Sequence, residues 1–103
     1  MLNGLKKIFG LGPKKDLGEL ILNGAIIVDV RTRGEYAGGH VDGSINIPLD
    51  QLDRKISELK KKNKPVITCC ASGMRSGSAR RILEANGIEA YNGGSWVSVD
   101  NLA

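Results

Sequence analysis

The run Ala25-Ile26-Ile27-Val28-Asp29-Val30 constrains the fold more than any other stretch of the chain. It is short, rich in β-branched side chains and apolar at nearly every position, so neither of its faces can be left in water. A strand of that kind belongs inside a sheet covered on both sides. Pro65-Val66-Ile67-Thr68-Cys69 reads as a second buried strand, and Ser44-Ile45-Asn46-Ile47-Pro48 as a shorter one stopped by its proline. Ile88-Glu89-Ala90-Tyr91 is the last strand candidate, followed by a turn over Asn92-Gly93-Gly94-Ser95-Trp96. Helical segments separate these runs. Asp16 can cap a helix from Leu17 to Asn23 closed by Gly24. Leu49, Leu52, Ile56 and Leu59 lie on one face of a helix spanning Leu49 to Lys62. Ser76 to Asn86 offers Ala79, Ile82, Leu83 and Ala85 for packing and ends at Asn86-Gly87. Gly34 to Gly43 is loop-like, with one helical turn at Glu35-Tyr36-Ala37. Strands that alternate with helices imply an α/β fold of three layers: a central, mostly parallel sheet of four to five strands with helices on both faces.

The 103 residues suffice for one domain, 1–103, with one modest core. There is no internal repeat, and Gly12-Pro13 separates an N-terminal helix or tail over 1–13 from the rest. That segment sets Leu2, Leu5, Ile8, Phe9 and Leu11 beside Lys6 and Lys7. It lacks an apolar core of signal-peptide length and a small-residue cleavage site. It is read as packed on the domain or loose, with membrane-surface contact as the alternative. No stretch is long enough to span a membrane. The net charge of +4 favours anionic ligands. Lys60, Lys61, Lys62 and Lys64 have no interleaved aromatics to stack bases, so they read as a solvated helix end rather than a nucleic-acid surface. The two cysteines are adjacent and offer no disulfide framework, which suits a reducing compartment, by default the cytoplasm. With no apolar stripe left over, a monomer is expected.

Chemistry concentrates in Cys70-Ala71-Ser72-Gly73-Met74-Arg75-Ser76, between a buried strand and a helix. Ligands of open α/β sheets bind beyond the carboxyl ends of the strands. A loop curling into a helix N-terminus aims several backbone N–H groups at one point, where the helix dipole adds positive charge. Gly73 allows a backbone angle that other residues resist, and Arg75 adds a permanent charge. A cysteine held there is a thiolate nucleophile with its own anion hole, each unit of lowered pKa reflecting ~1.4 kcal/mol in favour of the anion. The plainer alternative is a structural cysteine at a strand end beside a surface arginine.

This segment resembles the active-site loop of the rhodanese family, Cys-x-x-Gly-x-Arg-Ser. Asp29-Val30-Arg31, Glu35-Tyr36 and Gly39-His40-Val41-x-Gly43-Ser44-x-Asn46-Ile47-Pro48 resemble the family's upstream run, with Ser44 where alanine is usual. Gly93-Gly94 and Trp96 are similar to its closing residues, so the resemblance covers about Asp16 to Trp96 in order. It implies a sulfurtransferase in which Cys70 takes the outer sulfur of a small anionic donor, such as thiosulfate or a persulfide, and holds it as a persulfide. A thiophilic acceptor then removes it: cyanide, a thiol or a dithiol protein. Ala71, Ser72, Gly73, Met74, Arg75 and Ser76 would bind the substrate, with no metal and no organic cofactor.

Two other functions stay open. Five residues separate Cys69 from Arg75, the spacing of one class of cysteine-dependent phosphatases, against four from Cys70. Adjacent side chains diverge, so only one of the two cysteines can face the loop. A non-catalytic rhodanese-like binding module is the other alternative, although such modules are expected to lack the cysteine or the arginine. His40 is read as a structural residue bonding its glycine-rich turn, with general-acid or metal duty as alternatives. Asp29 and Arg31 are read as bracing the site, Glu35 and Tyr36 as packing, and Trp96 as rim, core or cap.

Overall fold

The computed structural model describes residues 16–103. The N-terminal helix or tail expected over 1–13 lies outside the described residues. Helix α1 (Leu17–Leu22) starts at Asp16, whose Oδ1 accepts the Glu19 N–H at 3.2 Å. Strand β1 (Ile26–Asp29) follows, then α2 (Arg33–Ala37) and the two-residue β2 (Ile45–Asn46). A 3₁₀ helix (Leu49–Lys55) leads into α3 (Ile56–Lys62), and β3 (Val66–Cys70) into α4 (Met74–Ala85). The chain continues through β4 (Ala90–Ser95) and α5 (Trp96–Asp100).

The sheet has four strands in the order β2-β1-β3-β4, all parallel. All five residues of β3 are buried, as an interior strand with both faces covered requires. On one face Val28, Val30, Leu52, Leu59, Val66, Cys70, Ala79 and Leu83 pack beneath the 3₁₀ helix, α3 and α4. On the other, Ile27, Val41, Ile67, Cys69 and Val99 pack with Leu17, Leu20, Ile21 and Trp96 from α1 and α5. The α/β class, the parallel sheet and the helices on both faces agree with the sequence reading.

Several boundaries move. The helix expected over Leu49–Lys62 divides, with a 3₁₀ half to Lys55 and an α half from Ile56. Leu49 and Leu52 are three apart, which matches the eclipsed i, i+3 rows of a 3₁₀ turn. Arg33–Ala37 is a capped helix rather than a loop with one turn. Thr32 Oγ1 accepts the Glu35 N–H, and Glu35 accepts the Thr32 N–H at 2.9 Å, a reciprocal capping box. Helix α4 begins at Met74, two residues earlier than expected.

The largest shift concerns β4, which runs to Ser95 and turns Asn92-Gly93-Gly94 from a turn into strand. Gly93 permits this. A Cβ there would lie 2.6 Å from Val99 Cγ2 and 2.9 Å from Ile67 Cγ2, so only glycine lets β4 run this close to β3 and α5. Beyond the strand, Trp96 opens a helix capped by Ser95.

Candidate active site

Cys70 is the last residue of β3, at the carboxyl edge of the sheet, and Ala71, Ser72 and Gly73 carry the chain into α4. Gly73 is the N-cap of α4 with φ +103°, in the left-handed region, and has no side chain to satisfy the free N–H groups of the first turn. The Cys70 sulfur takes that part. Its Sγ accepts the Gly73 N–H at 3.0 Å and the Ser76 N–H at 3.4 Å, and lies 3.3 Å from Ser76 Oγ. Burial of Cys70 opposes ionisation. Hydrogen bonds from the Ser76 hydroxyl and from the backbone N–H groups of Ser76, Gly73 and Ser72 outweigh it, so the thiol sits below its ordinary pKa of 9.0.

Cys69, one residue back, points to the opposite face of the sheet, among Ile27, Val41, Ile67 and Val99. Burial and the nearby Asp29 carboxylate push its thiol up to about 12. The loop therefore closes around Cys70, in the four-residue spacing, and the two sulfurs cannot meet at one metal ion. Both cysteines are free thiols.

Arg75 enters in the first turn of α4 and reaches across to α2. Its Nη1 and Nη2 donate to Glu35 Oε1 and Oε2 at 2.8 and 3.0 Å, a two-pronged ion pair. Hydrogen bonding to Arg75, with help from the Thr32 backbone, holds the Glu35 carboxyl down to about 2. This fork uses two of the five guanidinium N–H groups. Ala71, Ser72 and Met74 are exposed around the loop, while Ser76 is buried beneath it. Of the residues proposed from the sequence, Gly73 and Ser76 contact the Cys70 sulfur, whereas Arg75 is tied to Glu35 and Met74 projects outward.

The residues read as braces are braces. Buried Arg31 pairs with buried Asp29, Nη2 to Oδ2 at 2.7 Å and Nε to Oδ1 at 2.9 Å. The same guanidinium donates to the Gly39 carbonyl at 2.7 Å and lies 5.0 Å from the centroid of the Trp96 ring, which joins the core as packing. His40 stacks on Tyr36 with ring centroids 3.8 Å apart and bonds the Tyr36 carbonyl through Nδ1 at 2.8 Å. Ser44, at the position where the sequence departs from the family pattern, receives the Tyr36 hydroxyl on its carbonyl and donates its own to Val41.

Sequence reasoning missed Asn92. Its Nδ2 donates to the Gly73 carbonyl at 3.0 Å, and its Oδ1 accepts from Ser76 Oγ at 2.7 Å and from the Gly94 N–H at 2.9 Å. Read as the first residue of a glycine-rich turn, Asn92 carried no signal of these contacts, which depend on β4 lying beside β3.

The chain belongs to the rhodanese-like domain family, whose sequence model matches residues 14–97. It is 44% identical over 69 residues to the uncharacterised protein YqhL of Bacillus subtilis, covering 66% of this chain and 54% of that one. It is 39% identical over 61 residues to the thiosulfate sulfurtransferase PspE of Escherichia coli, covering 58% of this chain and 59% of that one. The chain thus spans little more than half the length of these curated relatives. Among solved structures, a rhodanese with anions from Escherichia coli superposes with a TM-score of 0.66 at 34% identity, over 72% of this chain and 89% of that one.

Proposed function

We propose that this protein is a sulfurtransferase that carries sulfane sulfur on Cys70. The observation that carries the reading is the Cys70 sulfur at the focus of the Gly73 N–H, the Ser76 N–H and the Ser76 hydroxyl, at the start of α4. Donors fixed in place before charge arrives stabilise a sulfur anion without reorganisation. Family membership supports sulfur transfer, and the similarity to PspE, a thiosulfate sulfurtransferase, supports thiosulfate as a donor.

In the first step the Cys70 thiolate attacks the outer sulfur of thiosulfate. The S–S bond of the donor breaks, sulfite leaves with its electron pair, and Cys70 becomes a persulfide anion. In the second step cyanide or a thiolate attacks the outer persulfide sulfur, thiocyanate or a new persulfide leaves, and the Cys70 thiolate returns. No net oxidant is needed. Ala71 to Ser76 would bind the donor, with Gly73 and Ser76 on the sulfur and Arg75 keeping three N–H groups beyond its fork with Glu35 to meet an anion. The exposed Ala71 and Ser72 leave space for an acceptor as large as a protein thiol. Two free thiols fit the reducing cytoplasm, and among the described residues no helix is long and apolar enough to cross a membrane.

The test is incubation with thiosulfate, intact mass, and thiocyanate release on adding cyanide. A gain of one sulfur atom that survives Cys69→Ser and disappears in Cys70→Ser is the expected result. Loss confined to Cys69→Ser, or no gain from thiosulfate or a persulfide donor, overturns the proposal.

A further inference from the structure

The groups that hold the Cys70 sulfur are tied to β4 by one side chain that no part of the reaction uses. Asn92 on β4 binds Gly73 through its Nδ2 and Ser76 through its Oδ1, and Gly73 and Ser76 are the residues whose N–H and O–H groups contact Sγ. The orientation of the amide follows from its partners. The Gly73 carbonyl can only accept and the Gly94 N–H can only donate, so nitrogen must face the first and oxygen the second.

That orientation has a consequence for Ser76. Its hydroxyl has one proton and two neighbours that can take it, Asn92 Oδ1 at 2.7 Å and Cys70 Sγ at 3.3 Å. When Cys70 is a thiol, S–H donates to Ser76 Oγ and the Ser76 O–H donates to Asn92, giving a relay in which every group is satisfied. When Cys70 is a thiolate, the hydroxyl turns to sulfur, and Asn92 keeps the Gly94 N–H alone. We propose that Asn92 is a positioning residue for the Cys70 sulfur, acting through Ser76 by competing with the sulfur for the Ser76 hydroxyl proton. This deepens, and rests on, the reading of Cys70 as the sulfur carrier. A thiolate leaves faster as its pKa falls but attacks less well, so attack on the donor limits how far the thiol can usefully be lowered, and a competing acceptor supplies that restraint.

The other charged or titratable groups around Cys70 are Arg75 from α4, its partner Glu35 from α2, the Asp29–Arg31 pair at the end of β1, and Cys69. On β4, Tyr91 is bonded to Glu89. None of these contacts involves Asn92, so its substitution leaves them in place.

The experiment is the pH dependence of Cys70 alkylation by iodoacetamide, measured by intact mass in a Cys69→Ala background so that one thiol remains. Asn92 is exposed, and circular dichroism checks that each variant is folded. Asn92→Ala frees the Ser76 proton for the sulfur. The alkylation midpoint is expected to fall by about half a pH unit, roughly a threefold gain in thiolate below the midpoint. In a Ser76→Ala background the same Asn92→Ala change is expected to shift nothing. Asn92→Asp places a stronger acceptor beside Ser76 and sets oxygen against the Gly73 carbonyl, so its midpoint rises. No shift with Ser76 present, an upward shift for Asn92→Ala, or an equal shift with and without Ser76 overturns the proposal. Alkylation requires no sulfur donor, so this result stands apart from sulfur loading by thiosulfate, which tests the underlying function on the same samples.

Discussion

Cys69 and Cys70 are neighbours on one strand, both fully buried, and differ in everything that governs sulfur chemistry. The pleat sends Cys69 toward α1 and α5, where its surroundings are Ile27, Val41, Ile67 and Val99. It sends Cys70 toward the start of α4, where N–H and O–H groups converge on it. Burial acts against ionisation at both sites. At Cys69 burial and the Asp29 carboxylate outweigh the opposing Arg31 charge and the thiol is pushed up to about 12, whereas at Cys70 hydrogen bonds overcome burial. The lesson is that the exposure of a cysteine says little about its reactivity, because the number of donors aimed at the sulfur decides.

This contrast breaks most sharply under exchange of each sulfur for oxygen. Cys70→Ser is expected to lower thiocyanate formation by about a thousandfold or more, to the background of the assay, since the nucleophile is gone. Cys69→Ser keeps turnover within about threefold and instead lowers stability by ~1–3 kcal/mol in urea melts, because a hydroxyl replaces a thiol among apolar side chains. Retained turnover in Cys70→Ser would dissolve the comparison.

The Cys69 side is a matter of packing, and Gly93→Ala tests it. The new methyl would meet Val99 and Ile67 at 2.6 and 2.9 Å, so thermal unfolding should reveal a loss of ~1–3 kcal/mol or more. An unchanged melting temperature would mean that β4 and α5 can part without cost.

The Cys70 side is a matter of hydrogen bonds. Ser76→Ala removes one of the contacts that favour its thiolate, the hydroxyl bond, and leaves the backbone N–H of that residue in place. The alkylation midpoint should rise by about one pH unit, roughly tenfold slower modification at neutral pH. An unchanged midpoint would assign the lowering to the backbone amides alone.

A further effect appears in alkaline stability. Folding raises the Cys69 pKa from 9.0 to about 12, so the folded chain holds a proton that the unfolded chain releases between those values. The Cys69 contribution is intact below pH 9 and is lost as the pH rises toward 12. Cys69→Ala should therefore show a shallower fall in stability across that window, and urea midpoints at pH 8 and pH 10.5 measure the difference.

Much of this was legible in local pattern. The apolar run at Ile26–Asp29 required an interior strand, Gly73 required a special backbone angle, and the step from Val66–Cys70 into Met74–Ala85 placed a sulfur at a helix start. Asp16 and Thr32 carry their caps within three residues of themselves. The turn expected at Asn92–Trp96 is strand as far as Ser95, because glycine signals freedom from steric limits, and whether that freedom serves a turn or a tight passage depends on what lies opposite.

The sequence alone determined the α/β class, the buried strand that leads into Cys70 and the residue types of the loop, because spacing, branching and backbone restriction act over a few residues. Tertiary structure decided which cysteine faces the donors, the Arg75 fork to Glu35 from 40 residues away, and the Asn92 bond to Gly73 from 19 residues away. The reason is range. A hydrogen bond is set to within tenths of an ångström by both partners' backbones, and here those backbones belong to elements that meet only when the sheet and its two helical layers close.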